Sequence, residues 1–296
     1  MDNWTLAKRN YTANFPRVNY FRHKCETFDI SRITSNLSSP IDLLLASPEC
    51  TNHTCAKGSA ERSEESRETA FQVVRFAEAL RPRWIVVENV VHMRSWKRYE
   101  EWCAELVRLG YNLRKQVLNA NDFGVPQRRR RLFILGDRLA VPPSISPLTP
   151  NASKAATSFI IPNGTYPVTP LRTPNRAKGT LQRARRAIRT VGQNCPFLIV
   201  YYGTDGAGGW QRVDRPLRTV TTVDRFAYVR VGESGKHEMR MLQVPEIQAA
   251  MGFPPDFKLD HGTRRDKIKL LGNAVCPPVM KRIIEALTCF DDIPHI

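Results

Sequence analysis

The residue whose type and position first suggest chemistry is Cys50, which follows an apolar run that ends abruptly at Ser47-Pro48. Residues 41–46 are predicted to form a buried strand, and open α/β sheets place their chemistry in the loops after the carboxyl ends of strands. A cysteine in such a loop is a candidate nucleophile. The alternative is a small buried side chain, because free cysteines are among the most buried residues.

A second candidate is Glu88, which directly follows the apolar residues 84–87. Partial burial withdraws a carboxyl group from water and favours its protonated form near neutral pH, so Glu88 could hold and donate a proton. A carboxylate that caps a helix or pairs with a basic residue is the alternative interpretation. Right-handed crossovers would place Cys50 and Glu88 on the same edge of the sheet.

Residues 127–131 form a dense basic run, Gln-Arg-Arg-Arg-Arg, just before the apolar residues 132–134. On extended backbone alternate residues face one way, so Gln127, Arg129 and Arg131 are expected to share a face. That face can direct guanidinium groups at a phosphate or a carbonyl. A charge run is more often a solvated surface, but the apolar strand after this one indicates that part of the run is buried.

The elements that must position these residues alternate in type. Alternation of strands and helices is typical of an α/β fold with a doubly wound, mostly parallel sheet and helices on both faces. A short helix is predicted at residues 2–15 and a brief strand at residues 28–30, before the first buried strand. Further helices are predicted at residues 59–80 and 95–109, and further strands at 84–87, 113–118 and 132–135.

The composition changes after Asp137, where prolines crowd residues 142–174. Long helices and central strands are excluded there, since proline lacks the amide that both need. We interpret this stretch as a linker into a small, irregular, basic second domain. That domain is predicted to contain a short helix at residues 180–190 and a strand at 197–202, and further helices are predicted at 245–251 and 277–287.

The charge of the chain favours a polyanionic partner. Its 296 residues carry a formal net charge of +17. Residues 138–204 contain no Asp or Glu, although Lys and Arg recur throughout them. A surface charged only for solubility would mix the two signs, so this clustering favours contacts with the phosphates of nucleic acid.

The seven cysteines are odd in number and include no Cys-x-x-Cys pair. This argues against a zinc site or a disulfide framework and favours reduced thiols in a cytosol. No apolar run approaches the length of a transmembrane helix, and the first residues show no signal-peptide pattern. We therefore expect a cytoplasmic protein with no metal and no membrane contact.

Together these motifs resemble those of the cytosine C5 DNA methyltransferase family of bacterial and phage type. Residues 47–50, Ser-Pro-Glu-Cys, are similar to its Pro-Cys nucleophile loop, although the family usually has Gly-Pro-Pro-Cys there. Residues 88–90 match its Glu-Asn-Val motif, and residues 127–131 match its Gln-x-Arg-x-Arg motif. The ordered resemblance continues at residues 215–221, 251–254 and 272–275, and it spans nearly the whole chain.

The resemblance implies the fold of S-adenosylmethionine-dependent methyltransferases and a DNA (cytosine-5-)-methyltransferase that acts on a flipped cytosine in double-stranded DNA. It implies that Cys50 adds to C6 of the base while protonated Glu88 binds N3. It also implies that Arg131 holds the base carbonyl and that Arg129 supports the loop. The residues that match the family's contacts to S-adenosylmethionine are Asp2, Trp4, Asp29, Ile30, Asn273 and Val275.

By the same resemblance, residues 1–140 form the catalytic domain, 141–213 the target recognition domain, and 214–296 a return segment and C-terminal part that complete the catalytic domain. The family opens with a strand and a Phe-x-Gly-x-Gly turn at the cofactor, and this chain begins after that element. The first strand is therefore expected to be missing. Met1 is then an internal methionine of a longer reading frame, or the chain is truncated, or a second polypeptide supplies the motif; otherwise a monomer is expected.

Two alternative functions follow from the same features. A chain without the glycine turn could be a catalytically deficient remnant that only binds DNA. The acid-free residues 138–204 suit RNA as well as DNA, which leaves an RNA cytosine C5-methyltransferase open. We rank DNA methylation first, because the family is mostly DNA-directed.

Overall fold

The computed structural model of the protein describes residues 1–35, 39–49, 69–147, 153–161, 164–202, 206 and 208–289. The chain divides into two compact units, each with its own sheet. Unit 1 comprises Met1–Asn119, Arg130–Leu148 and Val279–Ile296, and unit 2 comprises Ala120–Arg129 and Thr149–Pro278.

The described sheet of unit 1 has the strand order β1–β2–β4–β3. β1 and β2 run parallel, whereas β4 is antiparallel to both of its neighbours. Only residues 120–129 separate β3 from β4, too few for the crossover that a parallel pair needs. The predicted α/β class is confirmed, with a mixed sheet where a mostly parallel one was expected. The strands are β1 (Leu43–Ala46), β2 (Trp84–Asn89), β3 (Asn112–Asn119) and β4 (Arg130–Asp137).

Two helices, α3 (Phe71–Leu80) and α4 (Tyr99–Arg108), pack on one face of this sheet. Their apolar stripes share a buried cluster with Ile85 and Val87 of β2. Because successive side chains of a strand point to opposite faces, Glu88 of the same strand points away from these helices. The helices thus fix β2 from one side, and the polar group at its end faces the other.

The predicted helices of unit 1 agree with the structure at their cores and differ at their ends. α3 ends at Leu80, as predicted, because Pro82 follows. The first part of the predicted helix, residues 59–68, lies outside the described residues. α4 begins at Tyr99, later than predicted, since a short 3₁₀ helix (Val91–Ser95) comes first. The predicted N-terminal helix is confirmed as α1 (Thr5–Asn14).

The brief strand predicted at residues 28–30 is wrong, because this segment leads into the short helix α2 (Ser31–Thr34). The Asp29 carboxylate accepts a hydrogen bond of 3.0 Å from the first amide of α2 and turns the chain there. The flanking apolar residues, Phe28 and Ile30, are buried against α3 from this turn. Their apolar character therefore serves core packing and not strand formation.

Unit 2 contains an antiparallel sheet with the described strand order β5–β9–β8–β6–β7. The predicted basic helix is confirmed as α5 (Lys178–Val191), which packs on the sheet through its buried Ala184 and Ala187. The predicted strand from residue 197 is confirmed as β6, but the sequence pattern did not predict the strands around it. The strands are β5 (Thr169–Pro170), β6 (Phe197–Val200), β7 (Trp210–Arg212), β8 (Phe226–Val231) and β9 (His237–Met241).

Three helices follow this sheet. The two predicted near residues 245 and 277 are confirmed as α6 (Val244–Ala250) and α8 (Pro277–Thr288). Between them lies α7 (Arg264–Asn273), which starts at a capping box formed by Thr263 and Asp266. Within the described ranges, no helix has both the length and the apolar composition needed to cross a membrane.

Candidate active site

Glu88 lies at the carboxyl end of β2, where an apolar run carries it into the protein. The whole of β2 is buried, and Glu88 is 6% exposed. Its Oε1 atom lies 3.0 Å from Nε of Arg131, on the neighbouring strand β4. Moving both charges out of water costs free energy that their attraction only partly offsets, so such a pair contributes little to stability. Its position at a strand end favours a role in binding or catalysis.

Arg131 approaches this acid from β4. Its backbone is paired with Leu118 of β3, and its Nη1 donates a hydrogen bond of 2.9 Å to the carbonyl of Arg130. The Arg131 side chain is 17% exposed, more than that of Glu88. A guanidinium group has five donors in a rigid fork, so Arg131 can bind the carboxylate and a second polar group together.

Asn89 ties the loop after β1 to the end of β2. Its Nδ2 donates a hydrogen bond of 3.2 Å to the carbonyl of Pro48, and its Oδ1 accepts one of 2.8 Å from the amide of Val90. Pro48 lies two residues before Cys50, which itself lies outside the described residues. Since β1 and β2 are parallel neighbours, their carboxyl ends lie on the same edge of the sheet. The sequence analysis did not predict Asn89 as a site residue. The feature that could have indicated it is a side-chain amide at the carboxyl end of a buried strand.

Gln127 is fully buried in unit 2 and joins two distant segments. Its Nε2 donates a hydrogen bond of 3.0 Å to the carbonyl of Ala250, at the end of α6. Its Oε1 accepts one of 2.8 Å from the amide of Val220. These partners lie 123 and 93 positions after Gln127 in the sequence. The motif therefore predicted that Gln127 is important but not which segments it binds.

Arg129 is also buried in unit 2, with 3% exposure. Its Nη1 donates a hydrogen bond of 2.9 Å to the carbonyl of Val220, and its Nη2 donates bonds of 2.7 and 3.1 Å to the carbonyls of Gly272 and Ala274. The prediction that part of the basic run is buried is confirmed. Arg129 thus links the carboxyl end of α7 to the segment after β7.

Gly272 lies in the last turn of α7, close to the segment after β7. A Cβ atom there would lie 2.4 Å from both the carbonyl carbon and the carbonyl oxygen of Thr221, which leaves room only for glycine. The close approach fixes the two residues predicted to contact the cofactor in unit 2. Of these, Asn273 is exposed and Val275 is partly exposed.

The predicted cofactor contacts of unit 1 lie at the starts of α1 and α2. The Asp2 carboxylate accepts a hydrogen bond of 2.8 Å from the amide of Trp4, whose side chain is half-buried. Hydrogen bonds from the side chain and backbone of Ser31 hold the pKa of the exposed Asp29 carboxyl below its usual range. Ile30 is 8% exposed and packs into the core.

This set of groups fits S-adenosylmethionine in its chemistry. Carboxylates are acceptors for ribose hydroxyls, and an indole offers a flat face to an adenine ring. Both carboxylates, Asp2 and Asp29, are exposed and available to such donors. As for metals, the described part of the chain contains no group of three or more His, Cys, Asp or Glu side chains that could hold an ion.

The sequence and the fold of this chain are similar to those of known proteins. A family model described as C-5 cytosine-specific DNA methylase matches residues 1–289. The type II methyltransferase M.HgiDI of Herpetosiphon aurantiacus is 27% identical over 284 residues, which are 93% of this chain and 81% of that protein. The type II methyltransferase M.Bsp6I of a Bacillus species is 29% identical over 288 residues, 90% of this chain and 84% of that protein.

A solved structure of the Entamoeba histolytica methyltransferase EhMeth has a TM-score of 0.68 to this chain, with 17% identity. The similarity covers 98% of this chain and 88% of that one, and it shows a common fold. The predicted S-adenosylmethionine-dependent methyltransferase fold is therefore confirmed, and S-adenosylmethionine is the cofactor of this family. With nearly its whole length matched by the family model, the chain belongs to the C-5 cytosine-specific DNA methylase family.

Proposed function

We propose that this protein is a cytoplasmic DNA (cytosine-5-)-methyltransferase that modifies a flipped cytosine in double-stranded DNA through a covalent adduct with Cys50. The observation that carries the proposal is the ion pair between the buried Glu88, at the end of β2, and Arg131 of β4, with 3.0 Å between Oε1 and Nε. Asn89 holds the loop that leads to Cys50 beside this pair. The family match supports the reaction class, and the type II methyltransferase names of the relatives support DNA as the substrate.

The proposed reaction begins when the target cytosine leaves the stack, because its ring cannot be reached inside a duplex. The Cys50 thiolate then adds to C6, which pushes electron density towards C5 and N3. Glu88 donates its proton to N3, and Arg131 binds the base carbonyl.

S-adenosylmethionine supplies the methyl group that C5 accepts. A water molecule then takes the C5 proton, and the electron pair of that C–H bond re-forms the C5–C6 double bond. Cys50 leaves C6 as a thiolate, and N3 returns its proton to Glu88. In unit 2, Arg129 keeps the turn at Gly272 in place by bonding its carbonyl. We assign target reading to residues 141–213, and the cofactor contacts to Asp2, Trp4, Asp29, Ile30, Asn273 and Val275.

Trapping on DNA that contains 5-fluorocytosine tests the nucleophile. With S-adenosylmethionine present, C5 takes the methyl group and its fluorine cannot leave as a cation, so the adduct persists. The wild-type protein should then migrate with the DNA on a denaturing gel. Cys50→Ser should abolish this species, whereas Cys195→Ser, which changes an exposed cysteine of unit 2, should retain it. Trapping that survives Cys50→Ser would remove Cys50 from the mechanism.

A separate experiment tests whether the nucleic acid substrate is DNA or RNA. Duplex DNA and tRNA compete for methyl transfer from labelled S-adenosylmethionine. We expect the label in DNA, at C5 of cytosine. Labelling of tRNA alone would assign the protein to RNA. Salt-dependent DNA binding without calorimetric binding of S-adenosylmethionine would instead identify a catalytically deficient remnant.

A further inference from the structure

The basic helix α5 forms one wall of a pocket of about 220 Å³ in unit 2. Leu181, Ala184 and Ile188 follow one another at helical spacing and give this wall an apolar surface. The pocket lies within unit 2 and includes none of the residues assigned above to catalysis or to the cofactor. Its other notable members are three arginines, namely Arg172, Arg185 and Arg189.

The positive charge of this pocket is uncompensated among the described residues. No Asp or Glu lines it, and none of its three arginines has a hydrogen bond or an ion pair with another described residue. The nearby acid on β9, Glu238, is already paired with Arg230 at 3.2 Å. An anion at the mouth would therefore gain charge-assisted hydrogen bonds without displacing an existing partner.

The opposite side of the pocket is fixed by its own contacts. His237, the first residue of β9, donates a hydrogen bond of 2.9 Å from Nε2 to the carbonyl of Gln193, and both residues line the pocket. The His237 ring also lies against Phe197, with 6.4 Å between ring centroids. Since α5 is anchored by the buried Ala184, the walls are set before any ligand binds, which lowers the entropy cost of binding.

We propose that this pocket binds one unpaired nucleotide of a DNA strand, with its base against Leu181 and Ile188 and its phosphates on Arg185 and Arg189. The inference rests on the proposed function in taking DNA as the partner, but it concerns a site other than the catalytic one. A nucleotide consists of a flat, largely apolar base and an anionic phosphate. The pocket has an apolar wall that can contact the base and guanidinium groups that can bind the phosphate.

The size and composition of the pocket favour a single nucleotide over a longer ligand. Its volume of about 220 Å³ is below the roughly 300 Å³ at which ordinary ligand sites begin, so it admits one compact group. Guanidinium planes both stack on bases and bind phosphate oxygens in pairs. An acidic peptide would satisfy the charges but would leave the apolar wall without a planar group to cover it.

The test compares two cytosine-free A·T duplexes by fluorescence anisotropy, one fully paired and one with a single unpaired thymidine. The absence of cytosine removes the target base of the catalytic site. We expect the wild-type protein to bind the duplex with the unpaired thymidine about tenfold more tightly, which is about 1.4 kcal/mol. Ile188→Trp fills the pocket without changing charge and should abolish this preference while leaving affinity for the paired duplex unchanged.

Arg185→Gln combined with Arg189→Gln should remove the same preference and lower the salt dependence of binding. Arg265→Gln combined with Lys269→Gln is the matched control, since it removes the same two positive charges from exposed positions on α7 outside the pocket, and it should retain the preference. Circular dichroism checks that every variant is folded.

A preference that survives Ile188→Trp, or a wild-type protein without any preference, would overturn the proposal. Displacement of the DNA by poly-glutamate as effectively as by thymidine monophosphate would also overturn it, because the pocket would then recognise charge alone. Methyl transfer to cytosine-containing DNA is measured in parallel on the wild-type protein. If the wild type transfers no methyl group but shows the preference, the proposed function fails and this inference stands.

Discussion

At the scale of single residues, the buried carboxyl group of Glu88 is paired with the less buried guanidinium group of Arg131. The Glu88 side chain is 7% exposed and that of Arg131 is 17% exposed, so a ligand reaches the guanidinium more easily than the carboxylate. In the proposed reaction, a base carbonyl that binds Arg131 therefore competes with the Glu88 carboxyl group for the same guanidinium.

Glu88→Gln should lower the single-turnover rate of methyl transfer by about 10²–10⁴-fold, the range in which a positioned proton donor contributes. The amide oxygen still accepts from Arg131 and fills the same volume, so the fold should persist. Glu101→Gln, at an exposed position of α4, is the control and should keep the wild-type rate. Rates of Glu88→Gln within threefold of wild type, roughly 0.6 kcal/mol in barrier height, would show that Glu88 does not donate the proton.

At the scale of elements, the sequence predicted what local patterns control. The end of α3 follows from Pro82, and in the basic helix α5 the arginines recur around the buried Ala184 and Ala187. The direction of β4 was not predictable from periodicity, because it depends on the short connection after β3. The turn at Asp29 was missed because a side-chain hydrogen bond, and not hydrophobic pattern, directs the chain there.

Some features of the candidate site were likewise predictable from the sequence, and others were not. Glu88 and Arg131 were each predicted as site residues, but a basic partner for Glu88 was only the alternative interpretation. Their contact follows from the pairing of β2 with β4. The hydrogen bonds of Gln127 and Arg129 were not predicted, because their partners are backbone carbonyls and amides more than 90 positions away. Backbone acceptors carry no side-chain signature in a sequence, so contacts of this kind become visible only in the folded chain.

Gly272→Ala should destabilise unit 2, because its Cβ atom would lie 2.4 Å from the backbone of Thr221. Backbone cannot move aside as a flexible side chain does, so we expect a loss of about 1–3 kcal/mol in the free energy of unfolding. Urea denaturation followed by circular dichroism measures this. Gly206→Ala is the control, since a Cβ atom there meets nothing within 4 Å, and it should change stability by no more than about 0.5 kcal/mol.

If Gly272→Ala instead unfolded at the same urea concentration as Gly206→Ala, the close approach of these two segments would not contribute to stability. A folded Gly272→Ala protein offers a second measurement. Its calorimetric affinity for S-adenosylmethionine should fall, because Asn273 is the next residue in the same turn. Unchanged affinity would remove Asn273 from the proposed cofactor contacts.

At the scale of the whole molecule, the charge distribution predicts how binding depends on salt. A net charge of +17 and an acid-free stretch at residues 138–204 favour contacts with many phosphates. Each neutralised phosphate releases condensed counterions, so the logarithm of the binding constant falls linearly with the logarithm of salt concentration. For six to ten phosphate contacts, affinity for duplex DNA should drop by about 10³–10⁵-fold between 50 and 200 mM salt.

Fluorescence anisotropy with a labelled duplex measures this slope, and sucrose at equal osmolality is the control, since it changes water activity without adding ions. Affinity should not change in sucrose. A drop of less than about tenfold over the same salt range would correspond to two or fewer phosphate contacts. Two or fewer phosphate contacts would not account for the acid-free residues 138–204. The excess of positive charge would then have a role other than binding DNA phosphates.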